Sequence, residues 1–431
     1  MTDAPADRAL RRRGLTLALL TLVYFFSYMD RYILAILLEP IKADLRLSDT
    51  QLGLLSGVAF AVFYATLGLP VARLADRSNR RNIIAVALAL WSGMTALCGL
   101  AANFTQLLLA RIGVGVGEAG SGPPSHSIIA DLYPAEKRSG AMAIFSSGVV
   151  LGGSAGTIIG GAIAAAHGWR VAIMAVGLPG ILLAVVVRLL VVEPRRGQSD
   201  RAAPEGPDEP MPGAWRAFTA MWGNGPAFHL VMGVTITSMI GYAVSAFGPA
   251  FLQRTMGLSL RQVALVVAPA VAVLGTISGV GGGKLADWAG RRYGLHAQCW
   301  LVALLKVFAF PCAITFYLAG SQTVAIGAYA LYLLFASSYL GPSFALIQGL
   351  APVRMRAMWA AVTLLVINLI GLGIGPTLVG VLSDLMKPHV GPQESLRYAL
   401  VIVAGAAPWT IYHYWRAGVL LRRAEGRGGG A

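Results

Sequence analysis

Apolar residues in this chain gather into long runs separated by short polar stretches. The runs cover residues 15–38, 51–74, 82–102, 104–130, 139–165 and 169–192, then 226–252, 262–286, 296–319, 322–350, 358–384 and 395–421. A helix needs about 20 apolar residues to cross about 30 Å of hydrocarbon, and these runs have that length. Strands of a membrane barrel would be shorter and would alternate apolar with polar residues. The pattern therefore predicts an all-α integral membrane protein of twelve transmembrane helices, numbered here as spans 1 to 12. The first run is too long for a signal-peptide core and carries no small-residue cleavage site, so it is expected to remain as span 1.

The stretch from Glu193 to Gly213 interrupts this pattern. It holds Pro194, Pro204, Pro207, Pro210 and Pro212 among charges, and it cannot bury enough apolar surface to fold alone. It is expected to be a cytoplasmic linker, with Trp215 to Trp222 forming an interfacial stretch before span 7. The organisation expected is a six-helix bundle over 1–192, a linker over 193–222 and a second six-helix bundle over 223–431. The halves also repeat. Ala72-Arg-Leu-Ala-Asp76-Arg-Ser-Asn-Arg80-Arg81 matches Gly283-Lys-Leu-Ala-Asp287-Trp-Ala-Gly-Arg291-Arg292 at a displacement of 211 residues, and Pro134-Ala-Glu-Lys-Arg138 matches Pro352-Val-Arg-Met-Arg356. Duplicated bundles of this size place a substrate site between them near mid-membrane.

Composition agrees with membrane residence: of 431 residues, 56% are hydrophobic and 12% charged, against about 25% charged in soluble domains. The net charge of +15 would suggest nucleic acid in a soluble protein. Here the positives cluster at alternate loops. Arg11, Arg12 and Arg13 precede span 1; Arg77, Arg80 and Arg81 follow span 2; Lys137 and Arg138 follow span 4; Arg195, Arg196 and Arg201 follow span 6; Arg291 and Arg292 follow span 8; Arg422 and Arg423 end the chain. The positive-inside rule accounts for this charge without nucleic acid and puts both termini in the cytoplasm of a multi-pass inner-membrane protein. Cys98, Cys299 and Cys312 each sit in an apolar run and are expected as free thiols. No histidines fall at metal-ligand spacing, no nucleophile–base set appears and no phosphate-binding Gly-rich loop is present. Neither enzyme activity, cofactor nor metal is expected, and transport would be driven by gradients.

Charge inside the spans is rare and therefore informative, because charge in hydrocarbon is expensive. Asp30 and Arg31 stand side by side in LTLALLTLVYFFSYMDRYILAILL, and Arg111 and Glu118 lie seven residues apart in QLLLARIGVGVGEAGSG. Seven residues is close to two helical turns, so Arg111 and Glu118 share a face, with Arg111 about 10 Å further along the axis. The four charges are expected as one cluster at and just outside the midplane. Burial disfavours an ionised carboxyl and a neighbouring guanidinium favours it, whereas arginine stays charged throughout. Asp30 and Glu118 are thus the expected proton-coupling residues, and Arg31 and Arg111, with Tyr28 and Tyr64, the expected substrate-binding ones. The second half has Gly241 and Tyr242 at the Asp30 and Arg31 positions, so the charged chemistry belongs to the first. Helix 5 carries Gly148, Gly152, Gly156 and Gly160 at every fourth position, a face expected to permit close helix contact. Lys306 in span 9 is expected to snorkel or to find an interhelical partner, and not to touch substrate.

The loop after span 2 and its repeat after span 8 resemble the signature of the major facilitator superfamily, Gly-x-Leu-Ala-Asp-Arg-x-Gly-Arg-Arg. The first copy has Ala72 and Asn79 at the glycine positions, and the second has Trp288 for the first arginine. The resemblance implies that these loops form a cytoplasmic gate of Asp76, Arg77, Arg81, Asp131, Arg138 and Asp287. Asp76 is expected at the start of span 11, and Arg77 or Arg81 with Asp131. Tyr28-Met29-Asp30-Arg31, with Ser27 where an asparagine is usual, and GVGEAGSGPPSHSIIADLYP resemble the Spinster family. That resemblance implies export or efflux of sphingoid phosphates, lysophospholipids or related amphiphiles. Abundant aromatics and few amides in the spans agree with a polar anionic head near the arginines and an apolar body among rings. The function expected is proton-coupled transport of an amphiphilic anionic lipid by alternating access, by a monomer whose partners are substrate, protons and membrane lipids. An organic-anion (sugar acid) symporter and a non-transporting receptor on a carrier scaffold are the alternatives.

Overall fold

The computed structural model describes residues 5–199, 214–352 and 355–428. The chain is helical, with no strand among the described residues. Contacts divide it into two compact units, Met1–Asp208 with Leu258–Ala268, and Glu209–Gly257 with Pro269–Ala431.

In the first unit the membrane helices are α1 (Arg13–Ile36), α2 (Asp49–Ser56 and Val58–Arg77), α3 (Arg80–Cys98), α4 (Phe104–Glu118 and Gly122–Leu132), α5 (Ala135–His167) and α6 (Trp169–Leu190). In the second they are α7 (Gly225–Arg254), α8 (Leu260–Tyr293, its residues up to Ala268 counted with the first unit), α9 (Leu295–Leu318), α10 (Gln322–Ala336 and Leu340–Leu350), α11 (356–390) and α12 (392–428). Ten described stretches are long and apolar enough to cross a membrane. The count reaches twelve because α4 is broken into pieces each too short, and because Met358–Glu425 holds two helices separated where Gly391 adopts φ 81°. Only glycine takes such a backbone angle without steric cost.

Side chains at the helix starts explain several boundaries. Asn79, Asn103 and Ser321 cap α3, α4 and α10 by accepting from the backbone three residues on, and Ser48 and Gln51 form a reciprocal capping box at the start of α2. Such caps satisfy amide groups that no helical carbonyl reaches. The break in α4, Ala119–Ser121, precedes Pro123 and Pro124, and the break in α10, Ser337–Tyr339, precedes Pro342. Proline lacks the N–H that would bond back across the break and is well suited to the first turn of the helix that follows.

The glycine face of α5 lies against the backbone of α1. A Cβ on Gly148 would lie 2.8 Å from the Thr21 carbonyl oxygen, one on Gly152 2.1 Å from that of Phe25, and one on Gly156 2.5 Å from that of Met29. The next glycine, Gly160, meets Ile33. Close approach therefore runs for three helical turns along the helix that carries Asp30 and Arg31. At the loops, Asp44 accepts from Arg170 and from Trp169 Nε1 at 3.1 Å, while Arg170 also donates to the Ala101 carbonyl at 2.9 Å. One arginine thus ties the α1–α2 and α3–α4 connections to the start of α6. Val86, Leu182 and Leu189 stand exposed on α3 and α6, the condition of side chains that face lipid.

The second unit has a core in which Trp359 and Tyr414 are buried, with the Tyr414 hydroxyl 2.7 Å from Ser343 Oγ. Ala214–Gly223 forms a helix before α7, with Ala217 and Met221 buried in that core and Trp215 exposed. The linker residues 200–213 lie outside the described residues.

Candidate functional site

Residues 27, 30 and 31 of α1 point two ways. Ser27 and Arg31 are one turn apart and share a face. Both reach Glu118 at the end of the first piece of α4. Ser27 Oγ donates to Glu118 Oε2 at 2.8 Å, and Arg31 binds the same oxygen through Nε at 2.7 Å and through a terminal nitrogen at 2.6 Å. Asp30 is turned away by one residue, about 100° of helix, and meets α3, where Thr95 Oγ1 donates to its Oδ2 at 2.9 Å. Asp30 and Glu118 are 2% and 1% exposed. Asp30 Oδ1 and Glu118 Oε1 have no hydrogen-bond partner among the described residues.

The Arg31 guanidinium sits among three rings, 4.9 Å from the centroid of Tyr28 and 4.6 Å from those of Phe60 and Tyr64. Ring faces attract a cation, more strongly where water is excluded. Arg111 lies on the same helix as Glu118 but two turns back. It reaches the Leu55 carbonyl at 3.4 Å and lies 5.5 Å from the Phe60 centroid. Phe60 therefore neighbours both guanidiniums.

The four charges expected as one cluster do act on one another, Asp30 feeling Glu118, Arg111 and Arg31, while their direct bonds are separate: an Arg31–Glu118 ion pair, an Asp30–Thr95 hydrogen bond, and Arg111 on a backbone carbonyl. Glycine permits the packing: a Cβ on Gly115 would lie 2.8 Å from the Phe60 carbonyl oxygen, and one on Gly117 2.7 Å from the backbone nitrogen of Trp91. Thr95 carries no sequence signal, being one threonine in an apolar run. Ser27 was legible only as a departure from the Asn-Tyr-x-Asp-Arg pattern, although its one-turn spacing from Arg31 is the signal that it would reach the same acid.

The signature loop after α2 has a different centre from the one expected. Asp131 pairs with Arg80, not with Arg77 or Arg81. Arg80 is 1% exposed and donates also to Glu193 Oε1 at 2.7 Å, Ser127 Oγ at 2.8 Å and the Pro194 carbonyl at 3.0 Å. As the first residue of α3 it points into the bundle between α4 and the chain leaving α6. Arg81 instead offers its backbone N–H to Glu193 Oε2 at 2.8 Å, and Arg77 is exposed at the end of α2. Asp131 Oδ1 further accepts from the Gly197 amide at 2.9 Å, so the start of the linker is pinned to the bundle. Arg138 donates to the carbonyls of Ala130 at 2.8 Å and Tyr133 at 3.3 Å. Asp287 is exposed near the end of α8. The Asp76 side chain lies outside the described residues. Lys306 does find an interhelical partner, the Ala336 carbonyl at 2.5 Å.

Comparisons with known proteins bear on the family and the fold. The description of the Major Facilitator Superfamily matches residues 20–413. The chain is 35% identical to an MFS-type efflux pump of Mycolicibacterium smegmatis, over 98% of this chain and 96% of that one. It is 28% identical to Protein spinster homolog 1 of Xenopus tropicalis, over 89% of this chain and 76% of that one. Among solved structures, a bacterial homolog to the human lysosomal transporter Spinster, in an inward-facing and unoccupied conformation, matches with a TM-score of 0.84 at 30% identity, covering 95% of this chain and 98% of that chain.

Proposed function

The chain belongs to the major facilitator superfamily and to its Spinster-like members, and we propose that it is a proton-coupled secondary carrier of an amphiphilic anionic lipid, of lysophospholipid or sphingoid-phosphate type. In this reading it works by alternating access in the inner membrane with both termini cytoplasmic. The observation that carries the proposal is the environment of Arg31: one carboxylate partner, Glu118, and three aromatic faces.

The chemistry follows from competition for that guanidinium. With Glu118 ionised, Arg31 is occupied. A proton on Glu118 removes the charge that holds Arg31, and the guanidinium, permanently charged and bidentate, turns to a phosphate or carboxylate head. The vacant Oε1 is where that proton sits. Tyr28, Phe60 and Tyr64 offer apolar contact to the body of an amphiphile next to its head. Headgroup and proton are then bound together and move in the same direction. Asp30, with one oxygen on Thr95 and one bare, is the second proton-coupling group, and Arg111 the second cation for the head. Asp76, Arg77, Arg81, Asp131, Arg138 and Asp287 serve the cytoplasmic gate, with Arg80 as its buried centre.

The test is transport by the purified protein in proteoliposomes, with lysophosphatidylglycerol and galactonate as probes and a pH gradient imposed in each sense. The expected result is lysolipid flux that follows the proton gradient and no longer follows it when Glu118 becomes Gln. Flux of galactonate alone would replace the lipid reading with the sugar-acid one.

A further inference from the structure

The second half of the chain holds a buried ionisable group that the mechanism above does not use. Lys306 lies at the middle of the 24-residue α9 and is 7% exposed. Its ammonium has three protons to donate. The Ala336 carbonyl takes one at 2.5 Å, and the Tyr339 ring lies beneath the nitrogen with its centroid 4.5 Å away. No carboxylate within ion-pair distance, and no other charged group, acts on it among the described residues. The titratable side chains around these partners are Tyr339 of α10 in contact, Tyr332 of the same helix beside it, and, beyond Ser343, Tyr414 of α12 with Cys299 of α9. Its two partners are themselves bordered by hydroxyls: Ser238 Oγ lies 3.1 Å from the Tyr339 hydroxyl, and Ser338, two residues on from Ala336, has its Oγ 3.0 Å from Ser278 Oγ.

The position of that contact is not arbitrary. Ala336 ends the first piece of α10, so its carbonyl has no partner within the helix. The two pieces of α10 have 15 and 11 residues, as do the two pieces of α4. The displacement of 218 residues that aligns Pro134 with Pro352 also aligns Glu118 with Ala336. Each half of the chain therefore presents one buried ionisable group at the same break. In the first half it is the carboxyl of Glu118 itself. In the second it is an ammonium delivered by the neighbouring helix to the carbonyl of the equivalent residue.

We propose that Lys306 is a further proton-exchange site, in the C-terminal half, loaded while its ammonium caps the break of α10 and emptied when that contact is lost while the side chain stays buried, the proton passing to water at the mouth of the site. Burial opposes the charge in the folded protein, and the negative end of the α10 helix dipole with the Tyr339 face offsets that cost only in part and only while the contact stands. Away from the break it has neither, and an ammonium among apolar groups is costly enough to give up its proton. Occupancy of the site by a proton is thus tied to the geometry of α10. A permanent structural cation would be served equally by arginine. The proposal rests on the reading of the chain as a proton-coupled carrier, but its first test does not.

That test compares wild type, Lys306→Met and Lys306→Arg in detergent, following thermal unfolding from about pH 6 to about pH 9. The difference in midpoint between wild type and Lys306→Met should change by several degrees across the range, and that between the two variants should stay constant. A constant offset between wild type and Lys306→Met would overturn the proposal. In proteoliposomes, both variants should lose lysophosphatidylglycerol flux driven by a pH gradient and keep flux down a lipid gradient. Full recovery with Lys306→Arg would reduce Lys306 to a structural cap. Should the wild type move lysolipid without regard to pH, the carrier reading fails, while the unfolding series still decides whether Lys306 exchanges a proton.

Discussion

Thr95 Oγ1 donates to Asp30 Oδ2 at 2.9 Å, so this acid is held from α3 and not by the arginine that follows it in the chain. Thr95→Ala should leave that oxygen buried and bare, at a cost of about 1–3 kcal/mol. In the background of Asp30→Asn the same change should cost less, because no charge remains to be satisfied. A double-mutant cycle of unfolding midpoints reads the coupling, and strict additivity would show that the hydrogen bond contributes nothing.

Glu118→Gln keeps an oxygen for Ser27 to donate to and removes the ion pair with Arg31. Transport in the variant should lose its dependence on the pH gradient while downhill flux persists. Ser27→Ala should lower the rate but retain the dependence. Proteoliposome flux measured at several pH gradients separates the two.

Arg80 joins Asp131, Glu193, Ser127 and the Pro194 carbonyl in one buried contact. Arg80→Met strands two acids, and breaking a buried pair from one side costs about 3–5 kcal/mol. Arg81→Met, whose backbone N–H still reaches Glu193, should cost far less. Thermal unfolding of the two variants is the comparison, and equal losses would remove Arg80 from its central place.

Two glycines of α5 should respond oppositely to alanine. A Cβ on Gly152 meets the Phe25 carbonyl oxygen at 2.1 Å, whereas one on Gly140 meets nothing within 4 Å. Gly140→Ala should stabilise by up to about 1 kcal/mol through helix propensity, and Gly152→Ala should destabilise by pushing α5 from α1. Expression level and unfolding midpoint report both.

Arg170 donates a hydrogen bond to Asp44, and this holds the exposed carboxyl below the usual carboxylate range. A group whose acid constant is depressed on folding contributes stability above its unfolded value, and that contribution fades as pH falls through its folded value. The stability gap between wild type and Asp44→Asn should therefore be full at neutral pH and close in strong acid. A gap that widens on acidification contradicts the assignment.

Much of this molecule was legible in the sequence, because hydrocarbon allows few solutions. Run length set twelve helices, and the two signature loops carried the superfamily. The fourfold glycine spacing in α5 marked a close helix contact that Phe25 and Met29 now define. What stayed hidden was the direction of side chains. Asp30 and Arg31 are adjacent in the chain, which drew attention to them, yet adjacency on a helix means different faces. Arg80 was hidden by company: Arg77 ends α2 and Arg80 and Arg81 follow it, and only the helix start at Arg80 decides which one turns inward. Thr95 is found by geometry alone.

The contact between α1 and α5 has a mechanical corollary. Where glycine lets two helices touch backbone to backbone, no flexible side chain lies between them to absorb displacement. In the proposed mechanism, a proton or headgroup arriving at Ser27, Asp30 and Arg31 would push on a two-helix plank, with the 33 residues of α5 as the far end of the same lever.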